Sequence, residues 1–190
     1  MEALFTSAAV VALAEVGDKT QLLAMLLATR FRRPLPIIFG ILVATLANHA
    51  LAALVGAQAA AFLDSPVFRY AVGMSFIAMA AWTLIPDKLD DEEAPRPRFG
   101  AFLTTLVAFF LVEMGDKTQI ATIALGARFH DVVSVTAGTT LGMMIANVPA
   151  IFLGHELLKR IDLVKVRLVA AGLFLIIGLW VLAQTAGWIG

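Results

Sequence analysis

Two copies of a seven-residue motif, Glu-X-Gly-Asp-Lys-Thr-Gln, lie within hydrophobic stretches of this chain, one beginning at Glu15 and the other at Glu113. An ionisable side chain at the depth of a bilayer is costly, so such residues are rare and usually functional. Carboxylate, amide and hydroxyl oxygens are the ligands that hard divalent cations prefer. The repeated motif therefore predicts an oxygen-lined ion site in a transporter built from two repeats.

The charge of the two motifs suggests what the site exchanges. Four carboxylates and two lysines give a formal charge of −2, which one divalent cation such as Mn²⁺, Ca²⁺ or Mg²⁺ would neutralise. When the cation leaves, the carboxylates face a dry interior and repel each other, and both effects favour the protonated form. Exchange of a metal ion for protons follows as a hypothesis, and two protons per cation would be electroneutral.

The local structure of the motif has two interpretations. On an unbroken helix, residues three and four apart share a face, so Glu15, Asp18 and Gln21 would form one polar stripe and Lys19 could pair with Glu15. Alternatively, Gly17 permits a local break, and the freed carbonyls and the threonine hydroxyl would then become extra ligands. The same choice applies to the second motif.

A purely structural role is the main alternative to an ion site. The pairs Glu15–Lys19 and Glu113–Lys117 could simply hold the helices together inside the membrane. This interpretation leaves both motif aspartates without partners and does not explain why the whole motif is duplicated. An ion site is therefore favoured, with the two lysines as auxiliary residues.

Three further polar residues lie inside apolar segments. Asn48 and Asn147, 99 positions apart, occupy similar places in the two repeats and could either supply amide oxygens to the ion or join helices by hydrogen bonds. His49 could relay protons, although a lone histidine on an apolar helix is more often a packed side chain with its hydrogen bonds satisfied. All three are possible auxiliary residues of the site.

Composition defines the class of protein. The chain has 190 residues, of which 61% are hydrophobic and 15% charged, with a mean hydropathy of +0.91. Soluble domains carry about 25% charged residues, so an integral membrane protein is predicted. The formal net charge is zero, which gives no indication of nucleic-acid binding. The chain has no cysteine and only three histidines, so a zinc site of the usual nitrogen and sulfur type is not expected and no cofactor is predicted.

An all-α membrane protein with six transmembrane helices is the predicted fold class. A spanning helix needs about 20 mostly apolar residues. The predicted spans are Ala3–Thr29, Pro36–Leu63, Phe68–Ile85, Phe99–Ala127, Val132–Gly154 and Leu163–Trp188. The predicted domains are a first three-helix repeat (1–86), an acidic cytoplasmic linker (87–98) and a second three-helix repeat (99–190). Because each repeat has an odd number of crossings, the second must be inverted relative to the first.

Basic residues in the loops predict the orientation, since they accumulate on the cytoplasmic side. With both termini outside, the outer loops contain only Arg69 and Arg128. The inner loops then contain Arg30, Arg32, Arg33, Lys88, Arg96, Arg98, Lys159, Arg160, Lys165 and Arg167.

The duplicated motif is similar to that of a known family. One Glu-X-Gly-Asp-Lys/Arg-Thr/Ser motif in each three-helix half resembles the Gdt/MneA-type family of small Mn²⁺/Ca²⁺:H⁺ exchangers, and the resemblance covers essentially the whole chain. It implies transport of Mn²⁺ or Ca²⁺ against protons. The resemblance maps the metal site onto the essential acids Glu15, Asp18, Glu113 and Asp116, with Thr20, Gln21, Thr118 and Gln119 as helpers. The lack of an N-terminal extension resembles compact bacterial members, so manganese export across a bacterial inner membrane is expected.

Three other functions compete with a cation exchanger. An amino-acid exporter of similar bundle plan would need a group that binds the substrate carboxylate, and only Lys19 and Lys117 could serve. An intramembrane lipid-pyrophosphate phosphatase would need arginines beside the acids, whereas the arginines here lie at the loops, so no enzyme is predicted. A passive channel is disfavoured because four carboxylates would bind an ion too tightly for fast conduction. The expected partners are the divalent ion and the bilayer, and the sequence leaves the oligomeric state open.

Overall fold

A computed structural model describes residues 1–62, 65–86, 100–153 and 162–189. Within these ranges the chain forms eight α-helices and no strand. They are α1 (Glu2–Glu15), α2 (Lys19–Phe31), α3 (Pro34–Phe62), α4 (Pro66–Thr83), α5 (Ala101–Glu113), α6 (Lys117–Phe129), α7 (Val132–Leu153) and α8 (Leu163–Thr185). The all-helical prediction is confirmed. The predicted linker 87–98 lies outside the described residues.

Two of the predicted spans are not single helices. Each motif breaks its segment, so the first is divided into α1 and α2 and the fourth into α5 and α6. The prediction of an unbroken helix with one polar stripe is therefore wrong, and the local break considered as its alternative is what forms. The other four predicted spans correspond to α3, α4, α7 and α8.

Short polar side chains begin several helices, as expected for N-cap residues. Ser65 caps α4 by accepting from the amide of Phe68 at 3.2 Å. Asp162 caps α8 in the same way, accepting from the amide of Lys165 at 3.2 Å, and this hydrogen bond lowers the pKa of the exposed Asp162 carboxyl. The caps of α2 and α6 are Asp18 and Asp116, so two predicted site residues also start helices.

Three of the described helices are long and apolar enough to cross a membrane: α3, α7 and α8. Large apolar side chains are exposed along them, for example Phe39, Leu46, Phe152 and Ile176. Such an outer surface suits lipid, whereas the buried interior contains many polar residues. The structure is therefore that of an apolar helical membrane protein.

The helices that carry the motifs are held by helices from the other end of the chain. The most extensive contacts join α1 to α7, α4 to α8, and α3 to both α5 and α6. Gly138 on α7 lies against Leu4 and Ser7 of α1, and Gly40 on α3 lies against Phe102 and Thr105 of α5. These contacts recur at an offset of 98 residues, so the two breaks lie in matching environments inside the bundle.

Candidate metal centre

The break in each motif is a tight turn. Val16 has φ −66° and ψ 114°, Gly17 has φ +81°, and the amide of Asp18 donates to the carbonyl at the start of the turn at 3.0 Å. These values match a type II β-turn, which requires positive φ at its third residue and therefore favours glycine. Residues 113–116 repeat the turn, with φ +79° at the glycine and the same hydrogen bond at 3.1 Å.

Both turns present their acids inwards. Glu15 and Glu113 end α1 and α5 and are fully buried, and Asp18 and Asp116 are 1% and 5% exposed. Buried carboxylates of this kind must be paired, hydrogen-bonded or bound to a cation. The predicted acids of both motifs therefore converge in one interior region.

Each lysine has a partner in the other motif. Lys117 lies against the Asp18 carboxylate, with its side chain 3% exposed. Lys19 Nζ lies 3.2 Å from Asp116 Oδ1, with its side chain 22% exposed. The motif aspartates, which a purely structural role within each motif would leave without partners, are thus paired crosswise.

The threonines hold the glutamates. Thr20 donates its hydroxyl to Glu15 Oε2, and its amide lies 3.4 Å from Asp18 Oδ2. Thr118 donates its hydroxyl to Glu113 Oε2 at 3.2 Å. On an unbroken helix Thr20 would point away from Glu15, so the break is what turns the hydroxyl into the site.

The glutamines, which lie just after the turns in α2 and α6, join each turn to the helix that faces it. Gln21 accepts from the amide of Gly17 at 2.9 Å and donates to the backbone carbonyl of Ala146 on α7 at 2.9 Å. Gln119 accepts from the equivalent turn amide at 2.7 Å, and its Nε2 lies 3.4 Å from Asn48 Oδ1 on α3. Both glutamines thus connect a turn to the helix that packs against it.

These hydrogen bonds show that Asn48 and Asn147 do not occupy equivalent positions in the two repeats, contrary to the prediction from their residue type. Asn48 matches Ala146, because each accepts from the glutamine of a motif. His49 therefore matches Asn147, at the same offset of 98 that relates the two motifs. Asn48 itself donates to the carbonyl of Phe110 on α5 at 3.0 Å, which is an interhelical hydrogen bond.

His49 distinguishes the two halves of the site. Its ring is fully buried, and Nε2 lies 3.7 Å from Glu113 Oε2. Neither ring nitrogen has a hydrogen-bond partner in the part of the chain that the structure describes, so the interpretation as a packed and satisfied side chain is wrong. Asn147 donates to the carbonyl of Met143 in its own helix at 3.1 Å, and its Oδ1 has no partner among the described residues.

The oxygens at the centre suit a cation. Carboxylate oxygens of Glu15, Asp18 and Asp116 all lie within 4.8 Å of one another. Oxygens on opposite sides of one ion are about 4–5 Å apart, since metal–oxygen distances are about 2.0–2.6 Å. In the described residues, Glu15 Oε1 and Glu113 Oε1 are buried without a hydrogen-bond partner. The arrangement can therefore hold a divalent cation, or protons in its place.

One signal in the sequence could have identified the break. Glycine is the commonest residue just after a helix, and aspartate is among the commonest N-caps. The Gly-Asp pair of each motif is thus the expected junction between one helix and the next. The pairing of each lysine with the aspartate of the other motif could not be predicted from the sequence. It depends on how α3 and α7 position the two breaks next to each other.

Most of the chain can be matched to known proteins. A family model described as "Divalent cation/proton antiporter GDT1" matches residues 3–91 and 101–188. The "Putative manganese exporter" of Vibrio cholerae is 52% identical over 180 residues, which cover 94% of this chain and 90% of that protein. A GDT1-like protein of Synechocystis is 31% identical over 186 residues, which cover 86% of this chain and 88% of that protein. No solved structure matches the chain.

Proposed function

Since this chain belongs to the GDT1 family of divalent cation/proton antiporters, we propose that it exports Mn²⁺ in exchange for protons through the site its two motifs form. Family membership confirms the resemblance predicted from the motifs. It also makes the chain a transporter rather than an enzyme, so the lipid-pyrophosphate phosphatase alternative is wrong. A divalent cation is favoured over an amino acid as cargo, and Mn²⁺ is supported by the name of the Vibrio cholerae relative.

Convergence of the motifs carries the proposal. Acids from two breaks, 98 residues apart in the chain, place oxygens of Glu15, Asp18 and Asp116 within 4.8 Å of one another. Thr20 and Thr118 donate to the glutamates of the two motifs, and Gln21 and Gln119 hold the turns that carry the acids. A merely structural ion pair does not need this many convergent oxygens.

The charges give a two-state cycle. Lys19 and Lys117 offset the two aspartates, so the two glutamates carry the remaining charge of the site. A divalent cation offsets both glutamates in one state, and one proton on each offsets them in the other. The buried site is electrically balanced in both states. The protein can therefore change which side of the membrane the site faces with either the cation or the two protons bound.

The six-span topology belongs to the same proposal. α1 has 14 residues and α2 has 13, so at about 1.5 Å per residue each is about 20 Å long, short of the hydrocarbon core of about 30 Å. Together they are long enough for one broken span, and α5 with α6 makes another. With α3, α4, α7 and α8 this gives six crossings in two inverted repeats, with the linker 87–98 between them.

Placement in the membrane completes the proposal. The bias of basic residues favours both termini on the outside, and we place the protein in a bacterial inner membrane. The metal would then load from the cytoplasm and be released outside, where protons take its place on the glutamates.

Reconstituted protein tests the proposal directly. Proteoliposomes with an imposed pH gradient are given Mn²⁺, and its movement is compared between wild type, Glu15→Gln and Glu113→Gln. We expect flux that follows the gradient in wild type and is lost in both variants. Glu2→Gln, which changes an exposed glutamate in the first turn of α1, is the matched control and should transport normally.

The variants must be shown to be folded by their elution as a single species and by a cooperative thermal transition. A folded Glu15→Gln protein that moves Mn²⁺ at the wild-type rate would refute the shared site. Flux that ignores the pH gradient would refute proton exchange by this protein.

A further inference from the structure

A cavity lies away from the motifs, at one end of the bundle. It is about 310 Å³ in volume and lies between the beginning of α4 and the ends of α3, α6 and α8. Its volume falls within the range of ligand pockets, which is about 300–1,000 Å³. None of the motif residues lines it.

The polar lining of the cavity is suited to an anion. Arg69 of α4, Arg128 of α6 and His130 just after α6 face it, together with Gln184 and Thr185 of α8. Two guanidinium groups and amide and hydroxyl groups can all donate to the oxygens of a phosphate, and guanidinium binds phosphate in a bidentate manner. The same charges repel a divalent cation, so the cavity is unsuited to the metal's path.

The remaining lining residues are apolar. Side chains of Ala60, Phe68, Val72, Ala127 and Val181 complete the cavity. A free inorganic anion would gain nothing from such a wall, whereas the glycerol and first methylenes of a lipid would be desolvated against it. Arg69, His130 and Gln184 are exposed, so the polar side of the cavity is open at the surface.

The position of the cavity also indicates a lipid. Its residues come from helix ends, which lie at the level of the headgroups when a bundle spans a bilayer. Arginine side chains at that level can make charge-assisted, bidentate hydrogen bonds to a lipid phosphate. Arg69 and Arg128 are moreover the two basic residues that the charge bias would leave on the outer side, and the structure brings both into this one cavity.

We propose that the cavity between α3, α4, α6 and α8 is a binding site for the phosphate headgroup of an anionic phospholipid, held by Arg69 and Arg128 with His130 at its rim. The lipid would join the ends of four helices that come from distant parts of the chain. This site is independent of the proposed metal cycle, since no residue is shared between the two.

Lipid binding to the purified full chain in neutral detergent tests the proposal. The probes are phosphatidylglycerol, phosphatidylcholine and inorganic phosphate, each followed by thermal unfolding and by native mass spectrometry. We expect phosphatidylglycerol to raise the unfolding temperature and to remain bound as one retained molecule. Arg69→Gln/Arg128→Gln should weaken this binding by at least about tenfold, because hydrogen bonds to charged groups are lost.

Two further variants guard against misfolding and general charge effects. Arg33→Gln removes an exposed arginine between α2 and α3 and should leave phosphatidylglycerol binding unchanged. Arg128→Lys keeps the charge but loses the bidentate geometry, so it should weaken binding while the protein stays folded.

Several outcomes would overturn the proposal. Equal stabilisation by phosphatidylcholine would mean that the headgroup charge is not recognised. Equal stabilisation by inorganic phosphate would make the cavity a site for a free anion instead of a lipid. Unchanged phosphatidylglycerol binding in the folded Arg128→Lys and double-glutamine variants would exclude the cavity as the lipid site.

Discussion

Lys19 Nζ lies 3.2 Å from Asp116 Oδ1, so the lysine of the first motif offsets the aspartate of the second. Lys117 and Asp18 make the reciprocal pair. The two motifs are therefore joined by charge as well as by packing, and a change in one motif leaves a buried charge uncompensated in the other.

Lys117→Met should be the more damaging of the two lysine deletions. It would leave Asp18 as an unpaired buried carboxylate, at a cost of about 3–5 kcal/mol in the free energy of unfolding. Lys19→Met should cost less, because that lysine is 22% exposed whereas Lys117 is 3% exposed. Thermal unfolding in detergent measures both.

A double variant separates this pair from general damage. Asp18→Asn with Lys117→Met removes both charges and should recover most of the stability that Lys117→Met loses. Lys165→Met, which breaks an exposed pair with Asp162, is the matched control and should cause no measurable change. A double variant as unstable as the single one would contradict the crosswise pairing.

Turn geometry makes the motif glycines sensitive to any side chain. Gly115 has φ +79°, and a Cβ added there would meet no atom within 4 Å, so Gly115→Ala isolates the backbone strain. We expect a loss of about 1–2 kcal/mol, which lowers the unfolding temperature by about 2–4 °C per kcal/mol. Differential scanning fluorimetry measures the shift.

Gly172 supplies a control of opposite sign. It lies inside α8, where an added Cβ also meets nothing within 4 Å. Gly172→Ala should therefore stabilise the protein by about 0.8–1 kcal/mol through helix propensity. If Gly115→Ala were equally stabilising, Gly115 would not have the positive φ that the turn at residues 113–116 requires.

How much of this site the sequence could predict depends on the range of each interaction. The duplicated motif and the apolar segments could be recognised in the sequence, because repetition and hydropathy are properties of the sequence itself. The turns were predictable in principle from each Gly-Asp pair. By contrast, Gln21 donates to the backbone carbonyl of Ala146, 125 residues away. Every residue has a backbone carbonyl, so the residue types in the sequence do not show which one Gln21 will reach.

Long-range packing also explains the incorrect equivalence of the asparagines. Asn48 and Asn147 were matched by residue type, which favours an offset of 99. Close contacts of Gly40 with α5 and of Gly138 with α1 instead fix the offset at 98 along α3 and α7. Position in the packed helix decides which residue faces the site, and type alone does not.

The threonine hydroxyls should be needed for metal binding. Thr20→Val removes the donor to Glu15 while keeping the shape of the side chain. A hydrogen bond to a charged group is worth about 1.5–3 kcal/mol, so the KM for Mn²⁺ should rise by about tenfold or more. Uptake into proteoliposomes over a range of Mn²⁺ concentrations measures this change.

Two neighbouring substitutions calibrate the result. Thr20→Ser keeps the hydroxyl and should transport nearly as well as wild type. Thr29→Val removes a hydroxyl of the same helix that donates to the carbonyl of Met25, away from the glutamate, and it should leave the KM unchanged. A normal KM in Thr20→Val would show that this hydroxyl does not support the metal-binding glutamate.

His49 should be replaceable by asparagine but not by leucine. Asn147 occupies the matching place in the other repeat, so His49→Asn makes the site symmetrical and keeps a polar group beside Glu113. We expect Mn²⁺ uptake within about threefold of wild type, a change of less than 1 kcal/mol. His49→Leu puts an apolar side chain beside Glu113 Oε2 and should impair uptake strongly. Loss of transport in both variants would assign His49 a role that asparagine cannot fill.

Transport should be electroneutral. With the lysines offsetting the aspartates, Glu15 and Glu113 carry the two charges that one divalent cation or two protons would balance. Exchange of two protons for each Mn²⁺ moves no net charge, so clamping the membrane potential with potassium and valinomycin should leave the rate unchanged at a fixed pH gradient. Glu113→Asp is a useful companion, because it keeps the charge while shortening the side chain, and it should slow transport without making it depend on voltage. A rate that rises or falls steadily with the imposed potential would contradict the exchange of two protons for each Mn²⁺. It would mean that a glutamate keeps its charge through the cycle or that a lysine changes its own.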